Sequence, residues 1–301
     1  MRYRNRVAPL PEGVLRLSPL EPNVLNAEGL QDCMRGLITP SGPVGARSHH
    51  LLSRLPRAVT LILPDLAVRL AVLHLQELPV RYEEREAVIR WRLGQEQLLS
   101  LAGAKVCFQV LPGIERVTGA ANTVLAVVVQ EAVLEQYESV CDAVGLLAQQ
   151  VEVSSLSLFN LWVRALGGPA RLTADFLWVN VSDGGFTALV FHKGRLVFLR
   201  TKLQGVGNHL NGGDMGSRWS DKVIEECAAS MYACQQHYPS LAVANVVLVG
   251  DDGTHHGLSE TLAKELGVTV KHLGWEDLCR GQAQPDAVRS LTALQAMAGL
   301  L

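Results

Sequence analysis

Residues 175–201 read DFLWVNVSDGGFTALVFHKGRLVFLRT, three apolar runs separated by two short turns. Residues 176–181 are apolar and rich in branched side chains, the composition of a strand covered on both faces. Ser182, Asp183, Gly184 and Gly185 then make a turn, the two glycines being free to take positive φ. Residues 186–192 are a second strand, Lys193-Gly194 is a two-residue turn, and 195–200 are a third strand. Three strands on two tight turns form an antiparallel meander. The first turn presents backbone N–H groups and a hydroxyl, which serve equally to reverse the chain or to cradle a phosphate.

Outward toward the C-terminus, 205–216 is a glycine-rich loop in which Gly212-Gly213-Asp214 is either a lid or Mg²⁺ element or a plain surface loop. Residues 221–237 follow as an amphipathic helix with Val223, Cys227, Met231 and Cys234 on related turns. The run 244–250 (ANVVLVG) is a buried strand, 251–257 a loop, 258–266 a helix, 268–272 a strand and 286–300 an alanine-rich helix. On the N-terminal side, 13–18 is a short strand and 26–37 a helix capped by Asn26. Residues 39–48 are a Pro/Gly/Ser loop, and 58–63 a buried strand broken by Pro64-Asp65. A strand at 67–75 leads to a long polar helix at 83–99, with Val88, Trp91, Leu98 and Leu99 among its apolar positions. Strands at 105–111 and 123–130, a helix at 131–144, a strand at 149–153, a helix at 154–165 and a linker at 167–170 complete the pattern. Mixed strands and helices in this order fit two lobes better than one doubly wound sheet.

Composition narrows the class. With 301 residues, 48% hydrophobic and 19% charged, the chain is long enough for two lobes and a full core. A net charge of −2 supplies no bulk basic field for nucleic acid. No apolar run reaches the roughly 18 residues of a membrane span, and the basic start lacks the apolar stretch of a secretory signal. The six cysteines are scattered without a CxxC pair, as free thiols in a reducing compartment would be.

The remaining motifs each carry two readings. Gly250, Gly253 and Gly257 permit close approach of an adenine ring, or simply turn a strand into a helix. His49-His50 and His255-His256 are adjacent pairs, whose side chains diverge; they read as solvated loop histidines rather than metal ligands. Arg81, Arg85, Arg90 and Arg92 among Glu83, Glu84, Glu86 and Glu96 make a salt-bridged helix face, or a rim for a charged peptide. No GxSxG, HExxH or P-loop occurs.

Three blocks, in order, resemble the type IV pilus assembly protein PilM family of the actin-like ATPase superfamily. Its kin include the mannose-sensitive pilus biogenesis protein and the cytoplasmic part of the secretion protein GspL. The first block is 61–97, LILPDLAVRLAVLHLQELPVRYEEREAVIRWRLGQEQ, with its Leu-Pro-Asp turn and the Ala87, Ile89, Arg90, Trp91 core; the second is the meander with Gly-Arg-Leu at 194–196; the third is 246–268, VVLVGDDGTHHGLSETLAKELGV. The resemblance covers about 55–301. It implies a two-lobed actin-like (ribonuclease H-like) α/β fold with an inserted small α/β subdomain. Lobe I would be 1–172, with the insertion at about 81–150. Lobe II would be 173–301, its helix 286–300 packing back on lobe I.

Two departures bear on function. The family opens with an Asp-x-Gly-Ser hairpin and a following lysine, its first phosphate clamp, and residues 1–20 contain no such motif. The family's Asp-x-Gly at the end of the first meander strand is matched by Asn180 and Ser182, with Asp183-Gly184 displaced. The resemblance thus implies a cytoplasmic scaffold at the inner-membrane face, peripheral to the membrane through its partner. It would dock the N-terminal tail of a PilN-like inner-membrane protein, with Arg90 and Trp91 at the docking surface. Ser182, Asp183, Gly184, Gly185, Gly250 and Gly253 would be remnants of a nucleotide site. No cofactor is expected, ATP with Mg²⁺ being the group that site would hold if it still functions. An actin-like ATP-dependent kinase or phosphatase is the alternative; it requires two phosphate loops and a catalytic carboxylate.

Overall fold

The structure, a computed structural model, describes residues 8–38, 57–97, 101–112, 119, 122–182, 184–204, 215–250 and 257–273. The expected meander is formed by β6 (Phe176–Ser182), β7 (Gly185–His192) and β8 (Arg195–Leu203), paired antiparallel throughout. Its second turn takes φ of 50° at Lys193 and 71° at Gly194, the double positive φ that matches strand twist in a two-residue hairpin. After it come α5 (Met215–His237), β9 (Asn245–Val249), α6 (Leu258–Leu266) and β10 (Thr269–His272). β9 runs parallel to β6 and β10 parallel to β9, giving a five-stranded sheet in the order β10-β9-β6-β7-β8. Helix α5 starts earlier than the glycine-rich reading of 205–216 suggests. Trp219, packed edge-on against Phe186 at 5.8 Å, anchors its early turns.

The N-terminal half repeats part of this plan. Helix α1 (Ala27–Ile38) leads to β1 (Arg57–Leu63); later α3 (Glu131–Ala143) leads to β5 (Leu146–Val153), which pairs parallel with β1. Helix α1 packs on α3 as α5 packs on α6, and α3 packs on β5 as α6 packs on β10. The equivalent of the meander is much reduced among the described residues. Before α1 there is a short hairpin bridged at Leu15 and Val24, tied to α3 by Gln136 Oε1, which accepts from Asn23 N at 2.7 Å and Val24 N at 3.2 Å.

Between β1 and α3 lies an insertion: one 3-10 turn at Asp65–Ala67, β2 (Arg69–Leu75), α2 (Tyr82–Gln97), β3 (Ala104–Leu111) and β4 (Asn122–Gln130). Its strands form a separate antiparallel sheet, β2-β4-β3. This sheet is built from residues 69–130 rather than from about 81–150. β2 pairs along its length with β4, Ala71, Leu73 and Leu75 facing the α2 residues Ile89 and Leu93. β5, in contrast, belongs with β1. Trp91 is 63% exposed, because Ile89 and Leu93, one turn apart, are the pair that faces the sheet. Leu98 and Leu99, and the helix expected at 286–300, lie outside the described residues.

Alternation along the meander explains why it organises the chain. Phe176, Trp178, Leu189, Phe191 and Leu199 face one core, shared with the N-terminal half. Leu177, Val179, Val181, Phe186, Ala188 and Val190 face the other, built with Val223 and Cys227 of α5 and Leu262 of α6. A strand with a core on each face must be apolar at every position, as β6 and β7 nearly are. The halves are joined by α4 (Ser154–Ala165), which leaves β5 directly. Its Phe159 stacks on Phe191 at 4.7 Å and its Trp162 meets Phe176 edge-on at 5.6 Å.

Candidate functional site

The Ser182–Gly185 turn sits at the edge where the two halves meet. Ser182 is half-buried, its hydroxyl 3.4 Å from the Gly185 carbonyl oxygen, and Gly184 takes φ of 90°. Gly250 lies at the same end of the sheet, since Val249 is in register with Asn180 across the β6–β9 pair. Asp183 and Gly253 lie outside the described residues, as do Gly212-Gly213-Asp214 and both histidine pairs.

What faces this turn is an apolar side chain. A Cβ placed on Gly185 would fall 2.9 Å from Leu66 Cδ2 and against the Lys202 carbonyl oxygen; one on Gly184 would meet Leu66 Cδ1 at 3.7 Å. Leu66 is buried, and it reaches the turn because Pro64 ends β1 and the 3-10 turn after it swings residues 65–67 toward the second half. The glycines therefore permit close approach, and Leu66 is one group that makes it.

Beside Leu66 is a buried polar cluster that joins three elements. Asp65 is 7% exposed, Ser155 fully buried and Asn180 2% exposed. Asp65 Oδ1 accepts from the Ser155 N–H at 2.8 Å, and Oδ2 accepts from the Ser155 hydroxyl. Asn180 Nδ2 donates to Ser155 Oγ at 2.7 Å and approaches Asp65 Oδ2 at 3.4 Å. Ser155 is the second residue of α4, so the Asp65 carboxylate seats on that helix's N-terminus from 90 residues away. Unfilled main-chain donors and the positive end of the helix dipole offset the cost of burying the charge. Asn180 Oδ1 has no partner and is buried. In register with Asn180 lie Thr187 and then Thr201, whose hydroxyls are 3.2 Å apart, so a polar strip crosses the meander at this level.

Reading the sequence alone missed this cluster. Its local signals were the Leu-Pro-Asp turn and Ser154-Ser155 ahead of an apolar helical run, but nothing local joins positions 65, 155 and 180. Among the described residues no group of three or more His, Cys, Asp or Glu side chains is placed to hold a metal ion.

Arg90 and Trp91 are elsewhere, on α2. Arg90 Nε donates to Glu86 Oε1 at 2.8 Å, and its Nη1 donates to the Ala104 carbonyl at 3.2 Å, so it fastens α2 to β3. Trp91 instead shares the outer face of α2 with Glu84, Ala87 and Gln95, all exposed. No described helix is long and apolar enough to cross a membrane.

No family model matches this sequence, and no curated protein sequence matches it. Solved structures do. The structure of the PilM–PilN type IV pilus biogenesis complex aligns over 97% of this chain and 88% of that chain, with a TM-score of 0.67 and 15% identity. The cytoplasmic domain of EpsL, an inner-membrane component of the Vibrio cholerae type II secretion system, aligns over 92% of this chain and 82% of its own, at 12% identity and TM-score 0.45. A Bacteroides thetaiotaomicron protein with an actin-like ATPase fold aligns over 76% and 69%, at 11% identity and TM-score 0.43. The fold comparison rests on the first of these, and the chain has the two-lobed actin-like fold with a small inserted α/β unit.

Proposed function

We propose that the chain is a cytoplasmic scaffold of type IV pilus assembly, or of a related secretion machine. It docks the N-terminal cytoplasmic tail of a PilN-like inner-membrane protein and acts at the inner-membrane face through that partner. The shared fold supports the family of machines, since the structure aligned over most of the chain is that of a PilM–PilN complex. Fold alone does not choose between binding and catalysis.

The observation that carries the choice is the packing of Leu66 against the Gly184-Gly185 turn at the interlobe junction. An actin-like kinase or phosphatase needs open phosphate donors there and a carboxylate free to hold Mg²⁺. Here Leu66 packs against Gly184 and Gly185, Asp65 is taken up by Ser155, and Asn180, two residues before the end of β6, is neutral. Nucleotide binding is accordingly lost, and the chain is not an enzyme of the ATP-dependent kind. On this reading the outer face of α2 receives the tail, with Trp91 as its anchor, tryptophan being among the residues that most often carry interface energy.

Two measurements test this. A tagged chain recovered from membranes should bring down an inner-membrane protein, and Trp91→Ala should abolish that recovery. Calorimetry with Mg-ATP should give no binding heat; a clear micromolar isotherm would restore the enzymatic alternative.

A further inference from the structure

At the far end of the five-stranded sheet, away from the interlobe junction, Asp175, His192 and Ser240 meet. His192 closes β7 and is 2% exposed. Its Nδ1 lies 2.9 Å from Asp175 Oδ1, and its Nε2 lies 3.2 Å from Ser240 Oγ. Asp175, just ahead of β6, is held from two more directions. The Lys193 N–H donates to Oδ1 at 2.7 Å, and the Ala242 N–H donates to Oδ2 at 2.8 Å. The tight Lys193-Gly194 turn aims the first of these amides; the loop between α5 and β9 supplies the second.

Asp175 accepts from the imidazole, so Nδ1 carries the hydrogen. In the neutral imidazole Nε2 then presents its lone pair to the Ser240 hydroxyl, 3.2 Å away. This is the tautomer in which an imidazole acts as general base toward a serine. Ser240 is itself exposed, in a turn closed by the Leu241 N–H to the Tyr238 carbonyl at 2.9 Å. The Tyr238 ring packs 5.5 Å from the imidazole and walls it off on one side. Fastening the loop alone requires only the two amides on Asp175. The imidazole and hydroxyl add a proton path from a shielded carboxylate to an oxygen at the surface.

We propose that Ser240, His192 and Asp175 form an acyl-accepting serine site, whose substrates are small activated carboxylic esters. Ser240 Oγ attacks the ester carbonyl carbon while His192 Nε2 takes the hydroxyl proton. The C–O bond to the leaving group then breaks, and the leaving oxygen departs with that proton from Nε2. The acyl-serine is released when water attacks it, His192 again taking and returning one proton, so the cycle consumes one water and needs no other reactant. Asp175 is a positioning residue. Among the described residues the Ser240 N–H makes no hydrogen bond, and it is the donor available to the developing oxyanion.

The probe is a fluorophosphonate applied to the folded chain, with the labelled peptide mapped. The expected result is label on Ser240, lost in Ser240→Ala at an unchanged urea midpoint. His192→Gln should slow labelling by about 10²–10⁴-fold, the usual worth of a positioned base. Asp175→Asn should slow it too while the mapped site stays Ser240. p-Nitrophenyl acetate should release one nitrophenol per chain in a burst, leaving acetyl on the same peptide. Labelling of the native chain no faster than of the urea-unfolded chain, or labelling that survives Ser240→Ala, overturns the proposal. Those two comparisons decide it even if His192→Gln fails to fold.

Discussion

Asp65→Ala is the sharpest test of the buried cluster at the interlobe junction. The substitution strips the acceptor from two donors that are fully buried, the Ser155 N–H and the Ser155 hydroxyl. Each buried donor left without a partner costs about 1–3 kcal/mol, so the loss should be about 4 kcal/mol. Asp65→Asn keeps the shape and one acceptor oxygen and should cost only about 1–2 kcal/mol, one weakened charge-assisted bond. Urea unfolding reads the total, and amide hydrogen exchange locates it: protection should fall first at the start of α4, where Ser155 sits. If Asp65→Ala stays within about 0.5 kcal/mol of the parent, the range of an ordinary surface change, and exchange at α4 is unaltered, the carboxylate is not holding the helix and the reasoning fails.

Three further outcomes are expected. Trp91→Ala should leave the urea midpoint unchanged, whereas Arg90→Glu should cost about 1–2 kcal/mol by removing the bonds to Glu86 and Ala104 and placing like charges one turn apart; equal stability effects would refute the division of labour on α2. On the acid side, burial pushes the Asp175 carboxyl upward, but the Ala242 and Lys193 amides and His192 outweigh it and hold the group below its usual range. Burial likewise pushes the Glu226 carboxyl upward, but Lys202 and Arg200 outweigh it and hold the group below its usual range. Both groups stabilise the fold at pH values above the unfolded carboxyl range, and that stability drains away as pH falls through the folded pKa values. A flat urea midpoint through the acid range would contradict this. On the alkaline side, burial pushes the Cys227 thiol and the Tyr137 phenol each up to about 12. The unfolded chain therefore ionises first, and stability should fall as pH rises above the ordinary thiol range; a thiol reagent should reach Cys227 only in the unfolded chain.

Much of the architecture was legible in the sequence because its signals are local. The apolar runs at 176–181 and 186–192, the two turns between strands, and the Asn26 cap, whose side chain accepts from Gly29 N at 2.9 Å, each depend on neighbours a few residues away. The absence of an Asp-x-Gly-Ser motif from residues 1–20 is a local feature of the same kind. Which strand joined which sheet was not. β2 follows β1 after a five-residue turn, yet it pairs with β4, because its alternating Ala71, Leu73 and Leu75 are buried only beneath α2. The roles of Arg90 and Trp91 likewise depended on which face of α2 met the sheet, a choice made by Ile89 and Leu93 together. Only the tertiary structure brought Asp65 to Ser155 and Asn180, across 90 and 115 positions, and Asp175 to His192 and Ser240. A hydrogen bond between distant residues leaves no periodicity or spacing in the chain. It exists because hydrophobic packing of the two cores has already set the backbones that carry its donor and its acceptor.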